Sequence, residues 1–486
     1  NAVDLPAFRE KYARSYIDEA IAEVWGRYEK ILAKEKALDF DDILLRAYQL
    51  VARNPDALAY FQNAWRYIHV DEYQDTNRVQ YELIRLLAKK SGNIAAVGDI
   101  DQNIYSWRGA SIEFIMNFEQ DFPDADIVVL AENYRSTKTI LAAANDAIAK
   151  NIRRKEKELY TKNPDGEKIT VAGFYDETEE ARFIAKEAKY LTNYGVKSDD
   201  IAVLYRANFQ SRILEEAFLK ENVPYQVLGT RFFERKEVKD AIAYIKLALN
   251  PDSSADLVRA IASPSRGVGK VTLVKVINGK ESELPASARK KIQDFRGLIT
   301  RIGGKIESAL ASEAIRYALH ESGLWDLYAK GTAEDTERLE NLKELVTVAT
   351  KYDTLAAPLG IEKLLEECAL QSDQDELKEK KSGVKLMTIH AAKGLEFERV
   401  FITGLEEGLF PHERDDAEGV DDEEERRLFY VALTRAEKKV YLTHAATRRI
   451  FGTRSINVPS EFISELDPAL VEVVPVVGNY HEEIID

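Results

Sequence analysis

Two acidic residues, Asp71 and Glu72, directly follow an apolar run at residues 65–70. If this run is a strand of a parallel sheet, both carboxylates lie at its carboxyl edge, where α/β proteins bind ligands. In a nucleotide hydrolase the first such carboxylate holds Mg²⁺, and the second orients or deprotonates the attacking water. An ordinary acidic loop is the alternative, and for this dipeptide alone it is favoured because the motif is so short.

A second polar segment, residues 97–110, also follows an apolar run. Its Gln102 is a candidate contact to a terminal phosphate. Tyr105, Trp107 and Arg108 place two aromatic rings beside a cation, and a nucleic-acid base that stacks on such a ring gains about 1–3 kcal/mol whatever its identity. The alternative is that Trp107 belongs to the core, an even choice for a Trp considered alone.

Hydrophobic periodicity predicts the elements that must position these residues. Residues 1–38 are predicted to be helical, because apolar side chains recur at steps of three and four along one face. Helices are also expected at 79–90 and 111–118, between β-like runs. This alternation of strands and helices implies a parallel α/β sheet. The expected strands of this region are residues 65–70, 94–97 and 127–130.

Further along the chain the pattern changes twice. A second alternating region gives way, over residues 235–383, to almost continuous helical periodicity, and strands return from residue 384 onward. We interpret this as a helical insert that interrupts an α/β domain. The last stretch, 466–486, is acidic and is expected to be a poorly ordered tail. The expected strands are residues 169–174, 201–205, 225–228, 384–389, 399–403 and 439–443.

The composition excludes several classes of protein. The 486 residues are 45% hydrophobic and 31% charged, as in a folded rather than a disordered chain. No apolar stretch approaches the roughly 20 residues needed to cross a bilayer, and the first residues lack the basic flank and apolar core of a secretory signal. The single cysteine, Cys368, excludes an internal disulfide and a cysteine-rich zinc site. We therefore expect a cytoplasmic protein without a membrane partner.

The charge balance limits how the chain can meet nucleic acid. The formal charge is 68 − 84 = −16. Such an acidic total argues against a protein that coats nucleic acid through a uniformly basic surface. A local basic groove remains compatible with it, since contacts to a phosphate backbone depend on where the cations lie rather than on their sum.

Five segments together resemble one known family. DEYQDTN at 71–77, GDIDQNIYSWRGA at 98–110 and NYRST at 133–137 resemble the Walker B, third and fourth motifs of the UvrD/PcrA/Rep family of superfamily-one DNA helicases. Residues 384–397 resemble the family's fifth motif, and residues 425–436 its sixth. Five long motifs in the family's order are a very specific signal.

The resemblance implies roles around ATP, the nucleotide that the family hydrolyses with Mg²⁺. Tyr134 resembles the residue that stacks on adenine, and Glu396 one that contacts the ribose. Arg135 and Arg435 resemble two arginine fingers, each of a kind worth about 10³–10⁵ in rate. The alternative for each Arg is a surface ion pair worth about 0–1 kcal/mol. In this assignment Asp71 holds Mg²⁺, and Glu72 and Gln102 complete the catalytic set.

The resemblance also implies contacts to single-stranded DNA. Thr388 and His390 resemble such contacts, although His390 alone would be read as a structural histidine. Tyr105, Trp107 and Arg108 resemble further contacts to the strand, and the weaker candidates are Arg206 and Asn208.

The helical insert contains a glycine-containing turn that superficially resembles a phosphate loop. Gly267 and Gly269 precede a lysine, which suggests a phosphate loop, but G-x-x-x-x-G-K-[ST] requires Gly at Pro264 and Ser or Thr at Val271. The segment resembles instead the family's turn that faces duplex DNA, where amides at a helix start hold a phosphate. A plain helix–helix turn is nearly as well supported.

The family resemblance predicts α/β architecture with two RecA-like parallel-sheet core domains of the P-loop NTPase type, carrying helical inserts. No Gly-Lys pair is followed by Ser or Thr, so the 486 residues contain no Walker A loop. We therefore expect the first core to be incomplete and unstable alone, and this chain to hydrolyse ATP very poorly. The predicted parts are 1–38 (1B-like), 39–129 (1A-like), 130–234 (first part of 2A), 235–383 (2B-like insert), 384–465 (second part of 2A) and 466–486 (tail).

The expected function is that of an ATP-dependent 3′-to-5′ DNA helicase and single-strand translocase, in repair or replication. Its expected partners are single-stranded DNA, single/double-strand junctions, and repair or replication proteins at the nucleoid. The alternative is a truncated, catalytically inactive helicase that acts as a DNA- or protein-binding module. A helicase subunit of the RecB type would call for a nuclease domain after the sixth motif, and we find none in the sequence.

Overall fold

A computed structural model of the chain describes residues 3–155, 157–377, 382–412, 422–450 and 452–474. The chain divides into two units by its internal contacts. The first unit is Asn1–Ala131 with Ile148–Glu158, and the second is Glu132–Ala147 with Leu159–Asp486.

The first unit is mostly helical and contains a two-stranded parallel sheet. Strand β1 (Ile68–Val70) pairs with β2 (Ile94–Ala96), so that Ile68 lies opposite Ile94. The two strands run in the same direction, and the loops that follow them therefore leave from the same edge. The helices are α1 (Leu5–Lys11), α2 (Tyr16–Glu35), α3 (Phe40–Arg53), α4 (Pro55–Ala64), α5 (Arg78–Ala88), α6 (Ile112–Met116) and α7 (Phe118–Asp121).

A capping box fixes where the loop after β1 ends. The side chain of Asn77 accepts hydrogen bonds from the backbone N–H groups of Val79 and Gln80, at 3.0 and 3.1 Å. The Gln80 side chain in turn accepts the N–H of Asn77 at 3.0 Å. A cap of this kind stabilises a helix by about 1 kcal/mol. Helix α5 consequently starts at Arg78, and the polar loop is confined to residues 71–76.

The second unit is built on an eight-stranded sheet in the order β10-β3-β8-β7-β4-β6-β5, with β9 antiparallel to β8 and all other pairs parallel. Strand β4 is buried along its whole length, as expected for a strand covered on both faces. The strands are β3 (Ile169–Asp176), β4 (Ile201–Tyr205), β5 (Tyr225–Val227), β6 (Val384–Thr388), β7 (Phe397–Ile402), β8 (Ala436–Ile450), β9 (Thr453–Ile456) and β10 (Val471–Val474).

Helices of the second unit pack on this sheet or form an insert between β5 and β6. The insert has a hydrophobic core of its own, which includes Tyr244, Phe295, Leu319 and Leu345. The helices outside the insert are α8 (Lys138–Ile148), α9 (Glu177–Asn193), α10 (Ser211–Lys220), α19 (Asp422–Leu433) and α20 (Glu461–Ser464). Those of the insert are α11 (Lys236–Leu249), α12 (Ser254–Ala262), α13 (Lys270–Ile277), α14 (Ala286–Ile306), α15 (Ala311–Glu321), α16 (Leu324–Ala329), α17 (Ala333–Ala349) and α18 (Leu359–Leu377).

The structure confirms the predicted fold class, an α/β protein with parallel sheets and many helices. The predicted domain ranges remain predictions, and the first break between the two units falls at Ala131/Glu132. Among the described helices, none is both long enough and apolar enough to span a membrane.

Two local expectations are wrong. Residues 127–130 form no strand, and their four side chains are 54–79% exposed. A strand needs a hydrogen-bonded neighbour, and the described residues supply none beside this run. Part of the expected tail is ordered instead, because Val471–Val474 pairs in parallel with Ile169–Ala172 at the edge of the large sheet. Residues 475–486 lie outside the described residues.

A buried ionic cluster ties α9 to β8 and to the loop after β7. The Arg448 guanidinium lies 2.7 Å from a Glu180 carboxylate oxygen and 2.6 Å from a Glu406 oxygen, and all three side chains are at most 4% exposed. Threonine hydroxyls complete the shell of Glu180, from Thr403 and Thr443, each at 2.7 Å. Each buried charge therefore has an opposite charge or a hydrogen-bond donor beside it.

Substituting Arg448→Met should lower the free energy of unfolding by about 3–5 kcal/mol, because it leaves two buried carboxylates without a cation. Urea unfolding of the purified chain measures this loss. The control is Lys438→Met, which removes the ion pair between Lys438 and Glu398. Because the Lys438 side chain is 57% exposed, this change should lower the free energy of unfolding by only about 0–1 kcal/mol. Equal losses in the two variants would contradict the assignment.

Candidate functional site

In the first unit the two candidate carboxylates lie where β1 ends. Asp71 and Glu72 follow Val70, the last residue of the strand. Glu72 has φ 49° and ψ 43°, a left-handed conformation that costs a non-glycine residue about 1–2 kcal/mol. Its backbone N–H donates to Asp71 Oδ1 at 2.9 Å. Strain of this size at the end of a strand is typical of functional sites.

The Asp71 carboxylate suits a divalent cation. Asp71 is exposed at the edge of the sheet, and carboxylate oxygens are the ligands that Mg²⁺ prefers in proteins. Its Oδ1 accepts the Glu72 N–H, and its Oδ2 accepts no hydrogen bond from the described residues. Nucleotide-dependent enzymes commonly hold Mg²⁺ through one or two carboxylates together with substrate phosphates.

Gln102 lies on the loop after β2, at the same edge of the small sheet. Its Nε2 donates to Asp99 Oδ2 at 2.9 Å. Asp99 Oδ1 accepts the N–H of Asp101 at 2.9 Å, and Lys157 is ion-paired with both aspartates. Sequence reasoning missed this lysine, because it lies far along the chain in a segment without a recognised motif.

A buried aspartate anchors the same loop. The Asp101 side chain is 1% exposed, and its Oδ2 lies 2.9 Å from Arg154. Burial raises the pKa of Asp101 above its ordinary value, and the charge of Lys157 opposes that effect. The loop that carries Gln102 is thus held by two cations from residues 148–158 of the same unit.

The structure brings Tyr105, Trp107 and Arg108 together beyond Gln102. The Arg108 guanidinium carbon lies 4.6 Å from the centroid of the Trp107 ring and 5.5 Å from that of Tyr105. Trp107 is 47% exposed, which excludes the core alternative. Burial raises the pKa of the half-buried Tyr105, and Asp75 raises it further. The cluster therefore presents an aromatic face and a cation to solvent.

In the second unit three predicted nucleotide contacts meet at the amino edge of the large sheet. Glu396 immediately precedes β7 and Arg435 immediately precedes β8, and these two strands are parallel neighbours. Arg135 joins them, because its Nε donates to Glu396 Oε2 at 2.8 Å and its Nη1 to the Thr434 carbonyl at 3.0 Å. Burial raises the pKa of the nearby Glu437, with Glu396 adding to the effect.

The two predicted arginine fingers differ in exposure. The Arg135 side chain is 27% exposed, whereas Arg435 is 3% exposed. Arg435 Nε donates to the Val431 carbonyl at 3.1 Å and its Nη1 to the Leu395 carbonyl at 3.2 Å. The Arg435 guanidinium therefore also holds helix α19 and the segment before β7 together.

Two asparagines fix the backbone around Tyr134, and sequence reasoning did not single them out. Asn133 Oδ1 accepts the N–H groups of Arg135 and Ser136 at 3.0 and 2.9 Å. Asn163 Nδ2 donates to the carbonyls of Tyr134 and Ser136 at 3.1 and 3.0 Å. Tyr134 is 79% exposed, so its ring projects from a backbone turn that these hydrogen bonds hold.

The remaining DNA candidates lie at the opposite, carboxyl edge of the large sheet. Arg206 follows β4, while Thr388 ends the adjacent parallel strand β6 and His390 lies just beyond it. Arg206 forms a two-pronged ion pair with Glu425, the shortest contact being 2.7 Å. Thr388 Oγ1 accepts the N–H of Ala391 at 3.3 Å.

Asn208, on the same edge, donates from Nδ2 to Glu337 of α17 at 2.9 Å. The glycine turn stands apart from it, in the insert. Gly267 has φ 64°, its carbonyl accepts a hydrogen bond from Lys291 at 2.9 Å, and Gly269 is the N-cap of α13. The structure thus groups the candidates by sheet edge, and their individual roles remain predictions.

Two family profiles match the chain. The UvrD/REP helicase N-terminal domain matches residues 3–123, and the UvrD-like helicase C-terminal domain matches residues 128–447. The chain belongs to the UvrD/PcrA-type superfamily-one DNA helicases. Both matched stretches contain the polar loops described above.

Curated relatives agree with this family. The chain is 42% identical over 494 residues to an ATP-dependent DNA helicase PcrA of Staphylococcus aureus (strain NCTC 8325), covering 97% of this chain and 67% of the relative. It is 41% identical over 496 residues to PcrA of Bacillus subtilis (strain 168), with the same coverages. PcrA of Staphylococcus epidermidis is 41% identical over 495 residues, covering 97% and 68%.

The exposed aromatic cluster gives the first test of the helicase site. Substituting Trp107→Ala should weaken binding of a fluorescent oligo-dT single strand about 5- to 150-fold, because a base loses its stacking partner. Fluorescence anisotropy measures the change. Trp65→Ala is the matched control, since Trp65 lies in the same unit, is 49% exposed and stacks on Phe61. An equal effect of both substitutions would contradict the assignment.

Proposed function

We propose that this helicase translocates 3′ to 5′ along single-stranded DNA, hydrolyses ATP with Mg²⁺, and acts in DNA repair or replication at single/double-strand junctions. The relatives are named ATP-dependent DNA helicase PcrA. The observation that carries the proposal is the shared edge of β1 and β2, where Asp71, Glu72 and Gln102 follow two parallel strands. Repair or replication proteins are its proposed protein partners.

The first unit supplies the groups for hydrolysis. Asp71 would hold Mg²⁺, which neutralises charge on the β- and γ-phosphates when bound. Glu72 orients the attacking water and accepts its proton, and Gln102 contacts the γ-phosphate. The tether of Gln102 to Asp99 supports this role, because it fixes the direction of the amide before a phosphate arrives.

The second unit supplies cations and a stacking ring. Arg135 and Arg435 stabilise the charge that develops on the transferred phosphoryl group. The exposed ring of Tyr134 stacks on adenine, and Glu396 accepts a hydrogen bond from the ribose. The contact of 2.8 Å between Arg135 and Glu396 supports a common site for these two residues.

DNA contacts are proposed in both units. Bases stack on Tyr105 and Trp107 beside Arg108 in the first unit. In the second unit Thr388 and His390 contact the strand, together with the weaker candidates Arg206 and Asn208. Gly267 and Gly269 face the duplex, where the backbone N–H groups at the start of α13 hold a phosphate.

We also propose that these 486 residues hydrolyse ATP slowly by themselves, since they contain no G-x-x-x-x-G-K-[ST] segment to cradle the phosphates. Fusing the phosphate-loop segment of a PcrA relative to the amino end should restore turnover. The competing proposal is a binding module without hydrolysis. It predicts DNA binding in the anisotropy assay and no ATPase in either form.

Substituting Glu72→Gln in the fused form should abolish DNA-stimulated turnover and leave ATP affinity within about threefold, because the amide keeps the shape but cannot accept the proton. Phosphate release with and without single-stranded DNA measures turnover. The matched control is Glu82→Gln on α5, which alters ion pairs with Arg78 and Arg85 and should retain wild-type turnover. Surviving turnover in Glu72→Gln would overturn the base assignment.

The direction of translocation along DNA is tested with a separate substrate. Partial duplexes with a single-stranded tail at either the 3′ or the 5′ end report it by strand displacement. We expect displacement only from the 3′-tailed duplex, and equal displacement from both would contradict the proposed polarity.

A further inference from the structure

Gln74 lies between the candidate base and the candidate phosphate sensor. The residue is 0% exposed. Its side-chain Nε2 donates to Glu72 Oε2, and its Oε1 accepts the backbone N–H of Asp99 at 2.9 Å. Its backbone carbonyl accepts a hydrogen bond from the Asn103 side chain. One buried amide thus bridges the loop after β1 and the loop after β2.

The far end of this bridge reaches Gln102. Asp99, whose N–H is held by Gln74, accepts the Gln102 amide on its Oδ2 at 2.9 Å. Glu72, Gln74, Asp99 and Gln102 therefore form a continuous chain of hydrogen bonds within the first unit. A shift at either end of such a chain changes the geometry at the other end.

Two backbone features adjoin the Gln74 side-chain amide. A Cβ atom at Gly98 would lie 2.7 Å from Gln74 Oε1, 3.0 Å from Ile115 Cδ1 and 3.3 Å from the Gln74 backbone nitrogen, so a side chain there would crowd the bridge. Glu72 has the left-handed backbone described above, with φ 49°. Such strain persists only when surrounding contacts hold it, and the Gln74 amide is one of these contacts.

We propose that Gln74 is a positioning residue for ATP hydrolysis, which holds the Glu72 carboxylate and the Gln102 loop in one fixed arrangement. This inference rests on the proposed function. A purely structural role for Gln74 is the competing explanation, since buried amides commonly satisfy neighbouring backbone groups. The two explanations differ in what a carboxylate or an apolar side chain at position 74 would do.

The first test uses the fused form, in which the phosphate-loop segment is added to the first core, and it does not depend on turnover. In Gln74→Glu two carboxylates meet at hydrogen-bond distance and must share a proton. Stability is then present at pH 5, where the proton is held, and is lost as the pH rises to 8. We expect the unfolding equilibrium constant at pH 8 to rise at least about tenfold relative to wild type. Urea unfolding at the two pH values measures it.

A side-chain swap shows whether the contact itself is responsible. The double variant Glu72→Gln/Gln74→Glu exchanges carboxylate and amide, so the hydrogen bond can re-form with donor and acceptor reversed. We expect it to recover most of the stability lost at pH 8 while showing no turnover. The matched control pairs Glu72→Gln with Gln62→Glu. Gln62 lies in the same unit and donates to the Leu86 carbonyl at 2.7 Å, away from the two loops, so Glu72→Gln should not recover the stability that Gln62→Glu loses.

The second test uses the fused form that gives DNA-stimulated turnover. Gln74→Leu and Gly98→Ala each disturb the amide without touching Glu72 or Gln102. We expect each to lower kcat about 10- to 100-fold, the usual loss when a supporting contact of a functional group is removed, with the KM for ATP changed less than about threefold. In Gln74→Glu the acid limb of the pH–rate profile should move to higher pH, since the base must lose a shared proton.

The outcomes separate the two proposals. In one outcome the wild-type fused form turns over ATP while Gln74→Leu keeps the same kcat and Gln74→Glu keeps the same acid limb of the pH–rate profile. That result would overturn the positioning role and leave the proposed function intact. If the double variant Glu72→Gln/Gln74→Glu does not recover stability at pH 8, the hydrogen bond between residues 72 and 74 is not responsible for the loss, and the proposal is overturned. Absence of turnover in the wild-type fused form would overturn the proposed function, and the positioning role with it.

Discussion

Parallel strand pairing is the constraint on which the rest of this structure depends. Because parallel neighbours run in the same direction, the loops that follow them leave from one edge of the sheet, and the segments that precede them enter at the other. In the small sheet this brings Asp71 and Gln102 to one edge. In the large sheet it separates two sets of groups, with Glu396 and Arg435 at the amino edge and Thr388 at the carboxyl edge.

Buried charges hold the second unit in this arrangement. Arg448 of β8 pairs with Glu180 of α9 and with Glu406 of the loop after β7. The insert is joined to α10 by a second buried ion pair, Arg212 with Glu344, both side chains being 7% exposed. In each case an arginine pairs with at least one carboxylate from an element distant in sequence. An alternative packing would leave the same charges buried without partners.

Hydrophobic periodicity was a good guide where a segment's own pattern decides its structure. The buried strand at residues 201–205 was predicted with its observed bounds, since an apolar run covered on both faces carries its own signal. It failed at residues 127–130, where an equally apolar run finds no neighbouring strand. It also failed at Val471–Val474, because short half-exposed edge strands resemble loops in composition.

The sequence by itself determined the family and the types of the chemical groups, because five motifs preserve residue type and spacing within short segments. Only the tertiary structure decided how those groups are held. The contacts of Gln74, the pairing of Arg135 with Glu396 and the cations that Lys157 and Arg154 bring to the loop of Gln102 are relations between separate segments. Local spacing cannot encode such contacts, since they depend on which strands and helices become neighbours when the chain folds.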